Sequence, residues 1–515
     1  MFDDPNLGNV VGVHHPFSAR VQPRDTADVL AAVLSARSDG AKLYPISTGL
    51  NWGYGSDSPV VPGCKLLDLR HMNRIQNAEE ISVDNPVAII EPGVTQGQLY
   101  EFLQQHCPEL TFNVSGAGRD TSIIGNSLDR GVGYFGPRKN DLFGLEVVTG
   151  TGQVLRTGFR RLGDRSPLAS SHPFGLGPIL DGLFFQSNLG IVTSACFRLM
   201  PRRPKEVAVS LALRREADLA LFIDELARLK REGLLTSVTH VANQARTHSS
   251  LSYGVSKYFS DVCGLGVEAA TQEAAAAIKI VAPDEWTSLA AITGNPGQVR
   301  AAIREVRKRT GSIARMVVVS RRLLDLGYSV TNRLRFIPFA RANAAAIAAI
   351  SPLHDLALGV PTDVAIQNLL WKFNHPSEAA TELDESRCGL LFVSPALPLN
   401  GTLASEVMRD MNKIAERHGH TLYITINIET ETSLVAVTNL LFDRSVEGET
   451  ERAHACADEL LSYIRSKGLE IYRARADMMS AVTEADPEYW QLISRLKVVF
   501  DPDRIIAPGR YNVAD

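Results

Sequence analysis

Apolar positions between residues 21 and 160 change period repeatedly. Residues 27–38 repeat them at helical spacing, and 42–47 read as a short strand. Residues 65–69 and 87–91 predict two further strands. The clearest helix is 95–106, where Leu99, Phe102, Leu103 and His106 recur at i, i+3, i+4 and i+7. Thr95 and Gln98 fit a capping box at its start. Residues 115–136 are glycine-rich and show no period. Residues 145–148 and 153–157 then flank Gly150–Gly152 as a hairpin.

The texture changes near 201–205. Beyond it, longer helices are predicted at 217–231, 296–310, 341–350, 402–418 and 451–467. Several stop at a glycine (Gly233, Gly311, Gly419, Gly468), the usual C-terminal signal. Two strand–helix–strand passes suit a sheet with helices on one face. The last residues return to short motifs and a terminal helix at 487–500. The expected class is α+β, divided at 1–205, 206–464 and 465–515.

At 515 residues the chain has room for two to four domains and for a buried cofactor. With 45% hydrophobic and 21% charged residues its composition is that of a globular protein. A formal charge of -4 gives no reason to expect nucleic acid or an anionic membrane as partner. No run reaches the roughly 18 apolar residues that span a bilayer, and the first residues lack a leader pattern. A cytoplasmic protein is expected. The six cysteines are scattered without metal-ligand spacing and read as reduced thiols. No metal site is expected; His14-His15 has no further ligand at suitable spacing.

Five segments carry candidate chemistry. The first runs from Tyr44 to Ser56 and holds Pro45, Ser47, Thr48, Gly49, Leu50, Asn51 and Tyr54. Its backbone N–H groups and hydroxyls can converge on a pyrophosphate, although alone it reads first as a mere turn. The second holds Ser115, Gly116, Gly118, Ser122, Gly125 and Asn126, and continues through Asp129, Arg130, Gly131, Gly133 and Tyr134. Gly131–Gly136 matches GxGxxG formally, but Pro137 and the polar residues after it predict more loop where a dinucleotide fold needs a helix. The third spans Gly175–Thr193, with Gln186-Ser187-Asn188 and Gly190-Ile191-Val192. The fourth is Ile471-Tyr472-Arg473, and the fifth runs from Asp501 to Arg510.

In this order the five resemble the vanillyl-alcohol oxidase / p-cresol methylhydroxylase family of FAD-linked oxidases. The resemblance is strongest over 43–200 and 468–512. Glu91-Pro92-Gly93-Val94-Thr95, Asp129–Tyr134 and Gln186-Ser187-Asn188 are close to its 4-alkylphenol branch. It implies a two-domain FAD-binding (PCMH-type) fold, with 1–205 and 465–515 forming the FAD part and 206–464 an α+β substrate-capping domain. FAD would be bound by Pro45, Ser47, Thr48, Gly49, Leu50, Asn51, Ser115, Gly116, Gly118, Ser122, Gly125, Asn126, Arg130, Gly133, Tyr134, Gly190, Ile191, Val192 and Arg510. Tyr54, Tyr472 and Arg473 match the positions that hold substrate as a phenolate. The electron acceptor would be oxygen or a cytochrome-type partner, and the chain a homodimer.

The chemistry of the three substrate positions holds without the family. A phenol titrates near 10, so ionising it at pH 7 takes about three pKa units, or ~4 kcal/mol. An arginine and two phenolic donors supply charge-assisted bonds of roughly 1.5–3 kcal/mol each. A phenolate then pushes electrons toward its para carbon as hydride leaves, giving a quinone methide.

The chain also departs from the pattern. Some members carry a carboxylate near flavin N5, at a place that falls near Ala117 here; Asp120 is the nearest acid. Members with covalent flavin use His or Tyr shortly before a segment like Phe392–Pro395, where this chain has Cys388-Gly389-Leu390-Leu391. Non-covalent FAD is therefore expected. Glu429, Glu431 and Asp443 are either proton acceptors or solvated charges. Two rival functions stay open: the same fold acting on a non-phenolic alcohol, amine or lactone, and a redox-silent flavin scaffold.

Overall fold

The computed structural model describes residues 8–163 and 165–513. Helix Thr26–Asp39 is capped by Asp25, which accepts from the Asp28 amide, and ends at Gly40 with φ 67°. It packs beside a parallel sheet in which Lys65–Asp68 lies between Ala19–Val21 and Leu43–Ile46. A second, antiparallel sheet runs Val87–Ile90, Ile191–Arg198, Leu142–Val148, Val154–Arg156. Helix Gln96–His106 keeps half of its expected capping box. Thr95 accepts from the Gln98 amide, but the Gln98 side chain donates to the Asn73 carbonyl instead.

The tail closes this half of the molecule. Leu43 N–H donates to Ile505 O, and Ala507 N–H donates to Leu43 O, both at 2.7 Å. Asp501, fully buried, accepts from the Ile505 and Ile506 amides and pairs with Lys497 at 2.7 Å. A side chain on Gly150 would put its Cβ 2.2 Å from the Asp501 carboxylate, so this turn requires glycine.

The region after 205 is built on one nine-stranded antiparallel sheet reaching from Lys205–Leu213 to Glu470–Ile471. Helices Leu219–Arg231, Pro296–Thr310, Gly401–Arg417 and Glu449–Ser466 contribute to the apolar core on one face. Helices Gln244–Asp261, Val267–Val281 and Pro338–Ala357 form a separate core of their own. Asn400 caps helix Gly401–Arg417, accepting from the Leu403 amide. The formal GxGxxG lies between helix Ile123–Leu128 and strand Leu142–Val148; only a single 3-10 turn, Arg138–Asp141, follows it, and no α-helix opens from it.

Candidate active site

Strand Leu43–Ile46 delivers the first glycine loop to the edge of a long cavity. Gly49 turns at φ 77°, and a Cβ on Gly125 would lie 2.3 Å from the Ser47 hydroxyl. Glycine at 125 is what lets helix Ile123–Leu128 approach this loop. The Gln186-Ser187-Asn188 motif ties the tail in place. Gln186 Nε2 donates to Tyr472 O at 3.0 Å, and Asn188 Nδ2 donates to Ala507 O at 3.1 Å. Gln186 itself sits at φ 46°, an uncommon conformation for a non-glycine residue.

Thirteen of the predicted cofactor residues line this one cavity: Pro45, Ser47, Thr48, Gly49, Leu50, Asn51, Ser122, Gly125, Asn126, Gly190, Ile191, Val192 and Arg510. Six others do not border it. Ser115 is buried, its amide donating to Gln96 Oε1 and its hydroxyl accepting from Arg138. Gly116 and Gly118 pack against Leu356 and Ile366 of the capping region. Gly133 is held against Asn113, and Tyr134 meets His240 at a 44° tilt with ring centroids 4.4 Å apart. Arg130 opens toward a neighbouring cavity with Glu429 and Tyr472. The second glycine segment is thus divided. Its later half borders the cavity, while its first half is a joint between the two parts of the fold.

The lining suits a flavin dinucleotide. Loop amides and the Ser47 and Thr48 hydroxyls provide for phosphates, Ser122 caps the adjacent helix by accepting from the Gly125 amide, and Arg510 adds positive charge. Arg473 Nε and Asn126 Oδ1 are buried without a protein hydrogen-bond partner. These groups would hold FAD, which supplies a two-electron acceptor when bound.

Arg473, Tyr54 and Tyr472 converge at the end of the cavity. The two tyrosine hydroxyls lie 3.2 Å apart, joining residues 418 positions apart in sequence. The Arg473 guanidinium stands 4.0 Å from the Tyr54 ring centroid, and Phe392 stacks on Tyr54 at 4.9 Å. Burial raises both phenols above their ordinary values, so each is a neutral donor at pH 7.

Asp129 completes the cluster. It accepts from Arg473 Nη2 at 2.5 Å and from Arg510 Nη2 at 2.8 Å, and Arg473 also donates to Asn51 Oδ1. Burial opposes its ionisation, but the two guanidiniums outweigh burial and hold the carboxyl below its ordinary range. Sequence reasoning quoted Asp129 only inside a motif and missed this role. Its one signal was an acid beside an arginine in a glycine-rich stretch that holds two acids, Asp120 and Asp129. Two cations sharing one anion leave the cluster at +1, not the +2 that the arginines alone suggest.

The nine-stranded sheet meets the tyrosines through Phe392, which stacks on Tyr54. Register aligns His240 with Asn427 and Ala242 with Thr425, then Thr425 with Val437 and Tyr423 with Asn439, and Asn439 with Phe392. These side chains share the face opposite the apolar core. Ala242, Thr425 and Val437, in one row, are partly accessible, whereas their chain neighbours Val241, Ile424, Ile426 and Ala436 are buried.

Of the three cap carboxylates, Glu431 is exposed and Asp443 pairs with Arg387 at 3.0 Å. Glu429 borders the cavity that holds Tyr472, and burial pushes its carboxyl up to about 7, against the pull of Lys139 and Lys230. It can therefore give or take a proton near neutrality. Asp120 faces a larger opening on the far side of the first loop, together with His14, His71 and His375.

Comparisons with known proteins agree with this geometry. Residues 17–158 match the FAD binding domain model. The chain is 31% identical over 514 residues to 1'-carboxy-chondrochloren decarboxylase of Chondromyces crocatus, covering 97% of this chain and 91% of that protein. It is 27% identical over 507 residues to the 4-cresol dehydrogenase [hydroxylating] flavoprotein subunit of Pseudomonas putida, covering 97% and 88%. Among solved structures, p-cresol methylhydroxylase with substrate bound superposes with a TM-score of 0.78 at 25% identity, over 98% of this chain and 90% of that one. The 4-ethylphenol oxidase of Gulosibacter chungangensis shares the fold, with a TM-score of 0.80 at 24% identity over 99% and 92%. A flavin cavity built from the first loop and the tail, with relatives matched along nearly the whole chain, places this FAD-dependent oxidoreductase in the vanillyl-alcohol oxidase / p-cresol methylhydroxylase family.

Proposed function

We propose that the substrate is a 4-alkylphenol, oxidised at the carbon attached para to its hydroxyl. The observation carrying this reading is the convergence of the Tyr54 and Tyr472 hydroxyls, 3.2 Å apart, with Arg473 over the Tyr54 ring at 4.0 Å. Two neutral donors and a cation suit a phenolate oxygen. Binding a phenolate brings the Arg473–Asp129–Arg510 cluster from +1 to neutral. The three groups have to supply ~4 kcal/mol to ionise the phenol at pH 7, which is within reach of two or three charge-assisted hydrogen bonds in a water-poor cavity. As hydride leaves the benzylic carbon, the phenolate electrons flow into the ring and yield a quinone methide.

The name of the C. crocatus relative favours a particular fate for that product. A quinone methide with a carboxylate on the next side-chain carbon loses CO2. The bond to the carboxyl carbon breaks, its electron pair forms the side-chain double bond, and the ring returns to phenolate. Water addition is the outcome when no carboxylate is present. Anaerobic mixing with a panel of 4-alkylphenols should bleach the bound flavin, with products identified by mass. A flavin that none of them bleaches refutes the phenol reading.

We also propose that FAD is held without a covalent bond, since the segment before Phe392 presents Cys388, Gly389, Leu390 and Leu391. Acid precipitation should leave the yellow colour in the supernatant. Colour in the pellet would overturn this, and His71 and His375, which border the opening beside the loop, would be the first attachment points to replace.

A further inference from the structure

The row Ala242, Thr425 and Val437 lies between two differently equipped regions. On one side Phe392 carries Tyr54, and with it the phenol site. On the other, His240 packs against the Tyr134 ring, and Arg246 follows in the first turn of helix Gln244–Asp261. The Arg246 backbone is pinned over strand Leu422–Ile428. Asn243 Oδ1 accepts from the Arg246 amide at 3.0 Å and from the Ile424 amide at 3.1 Å, while Asn243 Nδ2 donates to Leu422 O at 2.9 Å. The Arg246 guanidinium comes within electrostatic reach of the Tyr134 and Tyr423 hydroxyls.

Arg246, half-buried, differs from the arginines around the phenol site. Arg473 and Arg510 share Asp129, and Arg475 pairs with Asp477 at 2.9 Å. Among the described residues, no carboxylate pairs with Arg246 and no side-chain hydrogen bond is formed by it. A second cation, on an exposed side chain, stands at the same tyrosine: Lys372 Nζ lies 5.9 Å from the centroid of the Tyr423 ring, and no described carboxylate pairs with it either. Burial pulls the proton affinity of Arg246 down. Burying a cation without a partner is costly, and proteins match such groups with an anion. Here the described residues bring none, and the place lies on the same face of the sheet as Phe392, which stacks on Tyr54.

We propose that Arg246, backed by Lys372, binds a carboxylate on the part of the substrate remote from its phenol, so that the substrate class is a phenol bearing a side-chain acid. This rests on the phenol reading above. The two ends of the substrate are then read by separate cations: Arg473 takes the phenolate and Arg246 the acid. A guanidinium matches a carboxylate with two parallel N–H donors, which a lysine alone does not. Tyr134 offers a further hydroxyl donor, since burial pushes its phenol up to about 12.

The test compares three para-substituted phenols of equal chain length, ending in a carboxylate, a carboxamide or a methyl group, by anaerobic flavin reduction. The wild-type enzyme should favour the acid over the amide by about 100-fold in kcat/KM, carried mainly by KM. Arg246→Met should remove most of that preference and leave the methyl compound nearly unchanged, and Arg246→Lys should restore part of it. A wild-type enzyme that reduces its flavin with the methyl compound yet does not favour the acid overturns the Arg246 assignment, whatever the variants do. So does an acid preference that survives Arg246→Met. Failure of all three phenols would instead strike at the phenol reading itself.

Discussion

Arg473→Ala is expected to lower kcat/KM for a 4-alkylphenol at pH 7 by roughly 10- to 150-fold, the equivalent of one charge-assisted hydrogen bond of about 1.5–3 kcal/mol. The loss is bounded because Tyr54 and Tyr472 still donate and Arg510 still faces the cavity. It is not negligible, because the remaining Asp129–Arg510 pair is neutral overall, and a phenolate entering there meets no net positive charge. The diagnostic is pH. A phenol ionises by itself near pH 10, so the gap between variant and wild type should narrow as pH rises toward that value. It should narrow also for ring-substituted phenols of lower pKa at fixed pH. A gap that stays constant across both series would mean that Arg473 does not serve to ionise the substrate, and a non-phenolic alcohol or amine would become the better reading. An unchanged rate at pH 7 would have the same consequence.

Much of the FAD half was legible because its signals are local. Strands Leu43–Ile46, Lys65–Asp68 and Val87–Ile90 and helix Gln96–His106 fall within two residues of the pattern read from hydrophobic spacing. Pro296–Thr310 and Pro487–Phe500 agree to the residue, since a proline fixes each start. The group around Gln244–Asp261, Val267–Val281 and Arg321–Arg333 was missed. Two of these helices are rich in serine or alanine, so their apolar stripe is weak, and a third leaves Leu323, Leu326 and Val330 exposed. The pairing of strands across the capping sheet was equally out of reach. Strand Thr239–Asn243 joins Leu422–Ile428 across some 180 positions, and no local rule announces that contact. The site shows the same division. Glycine loops reveal themselves by composition, whereas a pair such as Asp129 and Arg473, 344 positions apart, exists only once the tail has folded back. For the same reason Ser115, Gly116 and Gly118 looked like part of a cofactor loop: small residues permit close approach, but composition does not say to what.

Asp129→Asn is expected to be the most disruptive single substitution at the site. The asparagine keeps the volume but removes the one anion shared by two buried guanidiniums. Removing one partner of a buried ion pair costs about 3–5 kcal/mol. With an unfolding entropy of roughly 2.1 cal/mol/K per residue, that is a fall of about 3–5 °C in Tm if the chain unfolds as one unit. The pH dependence identifies the cause. The folded-state carboxyl of Asp129 is held below its ordinary value of 3.8, so its contribution is fully present above that pH and is lost as pH falls through the depressed value. The difference in Tm should therefore be largest at neutral pH and shrink in acid. Activity separates two further effects of the same change. The cluster rises from +1 to +2, which by itself favours a phenolate. Yet Arg473 and Arg510 then repel each other with nothing between them, and Arg473 loses the contact that fixes one edge of its guanidinium. Because a displacement of the cation weakens every charge-assisted bond it makes, kcat should fall even if the phenol binds no more weakly. An Asp129→Asn enzyme with wild-type Tm at pH 7 and unchanged kcat would show that the carboxylate neither braces the two arginines nor positions the group that receives the substrate's charge.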